Sequence, residues 1–182
     1  MFINYLDDFC HVLFNRVGLN LYHQQITIFL METRDLLTLK VKEVMSTDLI
    51  TVKSDTILKD VNSIFESENI HHVPVVTEDQ RFLGMISKSD ILLLLDWGTK
   101  LSLPASIRKN FFLLSSNLAK DVMETKVIKV DADDTVMRCV QIFRENYFHA
   151  LPVVDENDKL IGILTTYDLM ILAYTQPGLL SN

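Results

Sequence analysis

Cysteine is scarce in this chain. Cys10 and Cys139 are the two in 182 residues, too few for a disulfide framework and without C-x-x-C spacing. Reduced thiols in a cytoplasmic protein are the expectation. No window approaches the ~18 uninterrupted apolar residues of a membrane span. The opening MFINYLDDF places acids where a signal peptide needs basic groups, so secretion is not expected. Basic charge is in deficit, with 17 Lys and Arg against 24 Asp and Glu and a net charge of −7. Such a chain lacks the basic surface that displaces counterions, which argues against broad nucleic-acid binding. Catalytic signatures are missing too: there is no G-x-S-x-G, H-E-x-x-H or P-loop, and no nucleophile has a visible base partner. The chain therefore does not read as an enzyme. His71 and His72 are adjacent on an extended segment and point to opposite faces, so a metal site is not expected either.

What the chain does contain is a duplication. Residues 41–95 align without a gap on residues 119–173, 78 positions later, with 17 identities in 55 pairs. Val44 falls on Val122, Met45 on Met123, Pro74 on Pro152, Gly84 on Gly162 and Asp90 on Asp168. A repeated unit fixes the architecture, and one this short buries too little apolar surface to stand alone. The expected solution is two copies packed face to face about a pseudo-twofold axis.

Each copy reads β-α-β-β-α, an α+β (mixed α/β) unit. The expected strands are 49–52, 73–77 and 82–87, then 127–130, 151–155 and 160–165. S-D-T at 54–56 and D-D-T at 133–135 read as helix N-caps. Pro74 and Pro152 read as strand openers, where a missing N–H is tolerated. Met45 and Met123 read as core gap-fillers. Residues 1–40 show helical apolar spacing (Leu6, Phe9, Leu13, Phe14, Val17) and are expected to form an N-terminal helical extension. Its acids Asp7, Asp8 and Glu32 speak against a membrane-surface helix. Residues 41–97 form repeat 1, 98–118 a linker with its own expected helix, and 119–176 repeat 2.

The motif able to carry chemistry is G-h-h-S/T-x-x-D. It runs from Gly84 to Asp90 and again from Gly162 to Asp168. Ser or Thr followed three residues later by an acid is close to a capping box, which by itself accounts for the pattern. The same geometry suits a nucleoside phosphate. A helix start offers N–H donors and the positive dipole end, a hydroxyl can donate to phosphate, and a carboxylate can accept from two ribose hydroxyls. Glycine just upstream leaves room for close approach.

V-M-S-T and V-M-E-T, H-H-V-P-V-V and H-A-L-P-V-V, L-G-M-I-S-K-S-D and I-G-I-L-T-T-Y-D occur in the same order twice. In these residues the chain resembles a tandem pair of cystathionine-β-synthase (CBS) domains, also called a Bateman module, over about three quarters of its length. The resemblance implies AMP, ADP, ATP or S-adenosylmethionine bound in clefts between the repeats, and a regulatory rather than catalytic role. It implies phosphate contacts from Ser87 and Thr165, with Lys88 and Thr166 beside them, and ribose held by Asp90 and Asp168. The purine would lie against Ile50 and Thr51 or Ile128 and Lys129, and against Val73 and Pro74 or Leu151 and Pro152. His71 and His149 stand where kinase gamma subunits of the same family have phosphate-facing histidines. His72 and Ala150 depart from the phosphate-binding Arg found there, leaving Lys88, His71 and His149 as charge complements. The implied protein is an energy sensor, homodimeric through helix faces such as 91–95 and the aromatic linker, that signals to an unknown regulated protein. A ligand-independent interaction scaffold is the alternative, and a DNA-linked regulator a weaker one.

Overall fold

The computed structural model describes residues 38–95, 102–146 and 149–175. Residues 1–37 of the expected 1–40 extension, Cys10 among them, lie outside the described residues. Repeat 1 opens with a 3-10 turn (Val41–Glu43) and continues as α1 (Leu58–Ser67), β1 (His72–Val76), β2 (Phe82–Ser87) and α2 (Lys88–Leu94). The linker carries α3 (Leu103–Ser116). Repeat 2 comprises α4 (Ala119–Val122), β3 (Val130–Asp131), α5 (Val136–Asn146), β4 (Ala150–Val154), β5 (Leu160–Thr165) and α6 (Thr166–Thr175). None of the described helices is long and apolar enough to cross a membrane.

The hairpins match in register. His72 faces Ser87 and Val73 faces Ile86 across β1–β2, while Ala150 faces Thr165 and Leu151 faces Leu164 across β4–β5. The expected first strands are much shorter than their β-branched sequence suggests. Residues 49–52 make only a parallel bridge between Val52 and Val75, and 127–130 shrinks to the two-residue β3. The cause is Pro74, which sits inside β1 rather than at its start. Val52 N donates to Pro74 O at 3.0 Å and Val76 N donates to Val52 O at 2.9 Å. The next bond of that parallel ladder would run from residue 74 N to Ile50 O, and proline has no N–H to give. Pro152 ends the ladder at β3 in the same way.

Helix starts also differ from expectation. In repeat 1, S-D-T closes a turn instead of a cap: Lys53 N donates to Thr56 Oγ1 at 3.0 Å, and Ile57 is the N-cap without a side-chain bond. Leu58 N is satisfied by Asn117 O at 2.9 Å, from outside its repeat. In repeat 2, Thr135 Oγ1 does accept from Arg138 N at 3.3 Å, the capping bond expected of D-D-T. The linker helix α3 packs on α1 and leaves Leu103, Ile107, Phe111 and Phe112 exposed.

The two repeats exchange their leading segments. Ser46 N donates to Ile163 O at 2.9 Å and Ile163 N to Ser46 O at 3.0 Å. Glu124 and Met85 make the equivalent pair at 2.9 and 3.0 Å. At the hairpin tips Phe82 N donates to Asp158 O and Leu160 N to Gln80 O, both at 2.9 Å. Each core accordingly includes the other repeat's opening. Ala119, Val122 and Met123 join the cluster around Leu58, Val61 and Phe65, while Val41, Val44 and Met45 join that around Cys139, Leu151 and Leu164. Cys139 is buried and unpaired, and burial pushes its thiol up to about 11, so it is held in the neutral form.

The exchange gives the two motif glycines a role other than ligand approach. A Cβ at Gly84 would lie 2.7 Å from Glu124 O, and one at Gly162 would fall on Met45 Sδ. Met45 and Met123 thus fill the space left by the opposite repeat's glycine. Gly84→Ala should cost about 1–3 kcal/mol, or roughly 2–10 °C in Tm for a chain of this size, because a backbone carbonyl cannot rotate away. Gly162→Ala meets a flexible side chain, and adding Met45→Ala should recover part of its loss. Thermal unfolding of the four variants of the Gly162–Met45 cycle, with Gly84→Ala beside them, checks this. An unchanged Tm for Gly84→Ala would contradict the close approach.

Candidate functional site

β2 and β5 each end on a hydroxyl residue that opens the following helix. Ser87 N and Oγ donate to Asp90 Oδ2 at 2.8 and 2.6 Å, and Asp90 N donates back to Ser87 Oγ at 3.2 Å. Thr165 N and Oγ1 donate to Asp168 Oδ2, both at 2.7 Å, and Asp168 N returns to Thr165 Oγ1 at 3.2 Å. Both motifs are therefore capping boxes, a feature worth about 1 kcal/mol each. Every one of these bonds that a carboxylate accepts goes to Oδ2. Among the described residues no hydrogen bond reaches Oδ1 of either aspartate, so each keeps one oxygen for another donor. The helix starts offer fewer free amides than their sequence suggests, since Lys88 N donates to His71 O at 2.9 Å and Thr166 N to His149 O at 3.1 Å.

A cavity of about 930 Å³ opens between the repeats, within the size range of small-molecule sites. Repeat 1 supplies an apolar wall of Leu49, Ile50, Ile70 and Pro74. Repeat 2 supplies Ile163, Thr165, Thr166 and Asp168. His71, His149, Ser87 and Lys88 complete the set expected from the sequence. The wall exists because Pro74 keeps residues 49–51 out of the sheet, leaving Ile50 to face the opening beside the proline ring.

Other expected residues are placed elsewhere. Val73 and Leu151 are fully buried in their own cores, since alternate residues of a strand face opposite sides. Asp90, Thr51, Ile128, Ala150 and Pro152 do not line this cavity, although Asp90 keeps the same cap geometry as Asp168. Lys129 is drawn away by an ion pair with Asp158 at the β4–β5 turn. The cavity is thus asymmetric: its purine-sized apolar wall comes from repeat 1 and its lining carboxylate motif from repeat 2.

His72, read in the sequence as a mere departure from an arginine, lines the cavity. Strand periodicity was the available signal, because residues 72 and 74 share a face of β1. Its pKa is lowered, first by burial and then by the positive potential of His149 and His71, with Asp90 opposing. Asp48, Asn69 and Tyr167 also line the cavity. The first two sit on loops, where no periodicity places them. Lys88 Nζ lies 3.5 Å from Phe65 O at the end of α1, a weak contact that leaves its charge at the cavity edge.

Comparison with known proteins gives this geometry a lineage. A family model for the CBS domain matches the chain twice, over residues 41–96 and 119–173. A homoserine O-acetyltransferase of Methanosalsum zhilinae is 30% identical over 124 residues, 68% of this chain. The match spans only 22% of that protein's length. Among solved structures, the CBS domain of a CBS domain-containing membrane protein from Sphaerobacter thermophilus superposes with a TM-score of 0.69 at 23% identity, covering 82% of this chain and 96% of that one. CBSX2 of Arabidopsis thaliana in complex with AMP superposes with a TM-score of 0.62 at 24% identity, covering 76% and 98%. Both structural likenesses are likenesses of fold.

Proposed function

The chain belongs to the CBS-domain family through two copies of the unit, and on that premise we propose that it is a regulatory module whose central cleft takes an adenine nucleotide or S-adenosylmethionine. One observation carries the reading. A single cavity joins an apolar wall able to face a purine (Ile50, Pro74) to a carboxylate, Asp168, whose Oδ1 accepts no hydrogen bond among the described residues. A ribose needs an acceptor of that kind, and the cap leaves it available without unwinding α6. The fold also accommodates such a ligand, since CBSX2 is known in complex with AMP. Thr165 and Thr166 then sit on the phosphate side.

The ligand lies between two units, so its occupancy bears on the angle between them. A nucleotide that fits one angle better shifts the population toward it, and a partner protein reads the difference. The role is binding rather than turnover: the Ser87 and Thr165 hydroxyls are used by the cap aspartates to open the helices, a structural use that accounts for them without a nucleophile. A cytoplasmic location suits a ligand of this class.

Saturating ligand, at ~100 times its Kd, adds about 2.7 kcal/mol, which should raise Tm by roughly 5–10 °C. A thermal-shift panel of AMP, ADP, ATP and S-adenosylmethionine checks this. Four flat responses at millimolar levels would favour the interaction scaffold instead. Asp168→Ala should weaken binding in this cleft by about tenfold or more, near 1.4 kcal/mol. Asp90→Ala should change it by less than about threefold (~0.6 kcal/mol). Equal losses in calorimetry would move the ribose to a different place.

A homodimer is the second part of the reading. Ile91 is buried in its own repeat, but Leu93 on α2 is 84% exposed, and Tyr167 and Tyr174 on α6 are 64% and 61% exposed. Pseudo-equivalent helices that both present apolar side chains make a surface suited to a second copy. Light scattering should report a dimer for the parent chain and a monomer for Leu93→Glu combined with Ile171→Glu, the mate of Leu93 on α6 and 41% exposed. A monomeric parent at micromolar concentration would overturn this part.

A further inference from the structure

The path by which the linker enters repeat 2 recurs, bond for bond, where the N-terminal segment enters repeat 1. Leu58 N donates to Asn117 O at 2.9 Å, and its equivalent 78 positions on, Val136 N, donates to Leu39 O at 2.8 Å. Ala119 N donates to Thr56 O at 2.8 Å, and Val41 N to Asp134 O at 2.9 Å. Leu118 and Lys40, which stand between these bonds, are both extended. Upstream of this path in repeat 2 stands α3, which ends at Ser116 and lies on α1. The equivalent of Ser116 is Thr38, and it is helical. We propose that residues 25–38 form a helix equivalent to α3, and that the surface on which it docks is the side of α5 carrying Met137 and Val140, in the same chain. The duplicated unit then starts at residue 25 rather than 41. The inference does not depend on what the cleft binds.

The two cores are matched in the way such a helix requires. Ile64, Val122 and Met123 are half-buried against the first core, and their equivalents Ile142, Val44 and Met45 hold the same places at the second. Leu114 of α3 also packs on the first core, and its equivalent is Leu36. Ser106, the buried residue of α3, is matched by Ile28, while the exposed Phe111 and Phe112 are matched by Thr33 and Arg34. At these positions the segment is apolar where α3 is buried and polar where α3 is exposed. The receiving surface has changed in the same sense. On α1, Lys59 Nζ stands 5.6 Å from the Phe111 ring, and Asn62 follows on the same side at i+3. Their equivalents on α5 are Met137 and Val140, and Val140 is 38% exposed. Such an apolar pair on a helix side suits an apolar cover. Charge is complementary in both pairs, with the signs exchanged. α3 carries Arg108 and Lys109 and no acid, against α1, where Asp60 and Glu66 outnumber Lys59. Residues 25–38 carry Glu32 and Asp35 with one arginine, against α5, where Arg138 and Arg144 outnumber Glu145. Screened surface charges choose between partners more than they add affinity. Here they favour the linker helix on α1 and the N-terminal segment on α5.

Hydrogen exchange of the full chain tests the placement. A helix over residues 25–38 leaves its first four amides without partners. Amides 29–38 should therefore exchange at least about 100-fold more slowly than in a free peptide of that sequence. Exchange at the free rate overturns the helix. Leu36→Ala and Leu114→Ala should each lower Tm by roughly 3–8 °C. Arg34→Ala, equivalent to the exposed Phe112, should shift it by less than about 2 °C. A Tm unmoved by Leu36→Ala overturns the contact with the second core. Val140→Asp addresses the receiving surface at a position where repeat 1 already holds a polar residue, Asn62. It should speed exchange of amides 29–38 by at least about tenfold, near 1.4 kcal/mol, and leave α3 protected. If their exchange is unchanged in Val140→Asp, the helix docks elsewhere and the assignment to α5 is wrong. Protection should persist in Leu93→Glu/Ile171→Glu where light scattering reports a monomer. Protection lost with the dimer would seat a second copy's segment on α5 and overturn docking within one chain.

Discussion

Ser46 and Ile163 exchange two backbone hydrogen bonds, Met85 and Glu124 exchange two more, and these four hold the opening of each repeat on the other's sheet. The rest of the molecule follows from that exchange. Glycine is required at positions 84 and 162 because a main chain or a methionine passes where a Cβ would stand. Val41 and Ala119 are completely buried although each stands at the start of its own repeat, because the core that buries them belongs to the other. The cleft lies between the two units so joined, and a small change in their angle is felt on both of its walls.

Prolines at positions 74 and 152 set a second constraint, acting through a bond that is never made. Without an N–H to meet Ile50 O, the segment before Val52 leaves the sheet and becomes one wall of the cavity. A β-branched residue at position 74 would allow the ladder to continue and the wall to close. The same absence at position 152 stops β3 at Val130, yet the residues before it do not line the described cavity. The two repeats therefore share a backbone plan and differ in what they do with the space it leaves.

Much of this was legible in the sequence, for reasons that differ element by element. β2 and β5 were readable to the residue because a short apolar run, a polar turn before it and a helix opening after it all agree. The short first strands were not, because their length depends on a hydrogen bond to a distant proline rather than on the propensity of Leu49–Val52. D-D-T announced a cap correctly while S-D-T did not, because Thr135 stands at the N-cap whereas Thr56 falls one residue short of it and Ile57 takes that place. Within the candidate site, the G-h-h-S/T-x-x-D spacing points to Thr165 and Asp168, which line the cavity, and equally to Asp90, which does not. His72 is marked only by strand periodicity, which puts it on the face of β1 that it shares with Pro74, and a comparison with arginine at that position does not use that signal. Asp48 and Asn69 come from loops whose path only the folded chain defines.

Among the described residues each backbone hydrogen bond between the repeats has a mate with the partners interchanged, the pattern of an isologous interface between identical subunits. The chain has the form of a two-fold dimer whose subunits have been spliced end to end. A true two-fold dimer must repeat every substitution on both sides of its axis. Once the halves share one polypeptide that obligation ends, so position 88 carries lysine while its mate at 166 carries threonine, and position 72 carries histidine opposite alanine at 150. Covalent fusion has thus released the two half-sites to diverge, one toward charge and one toward neutrality, while the symmetric frame that joins them stays fixed.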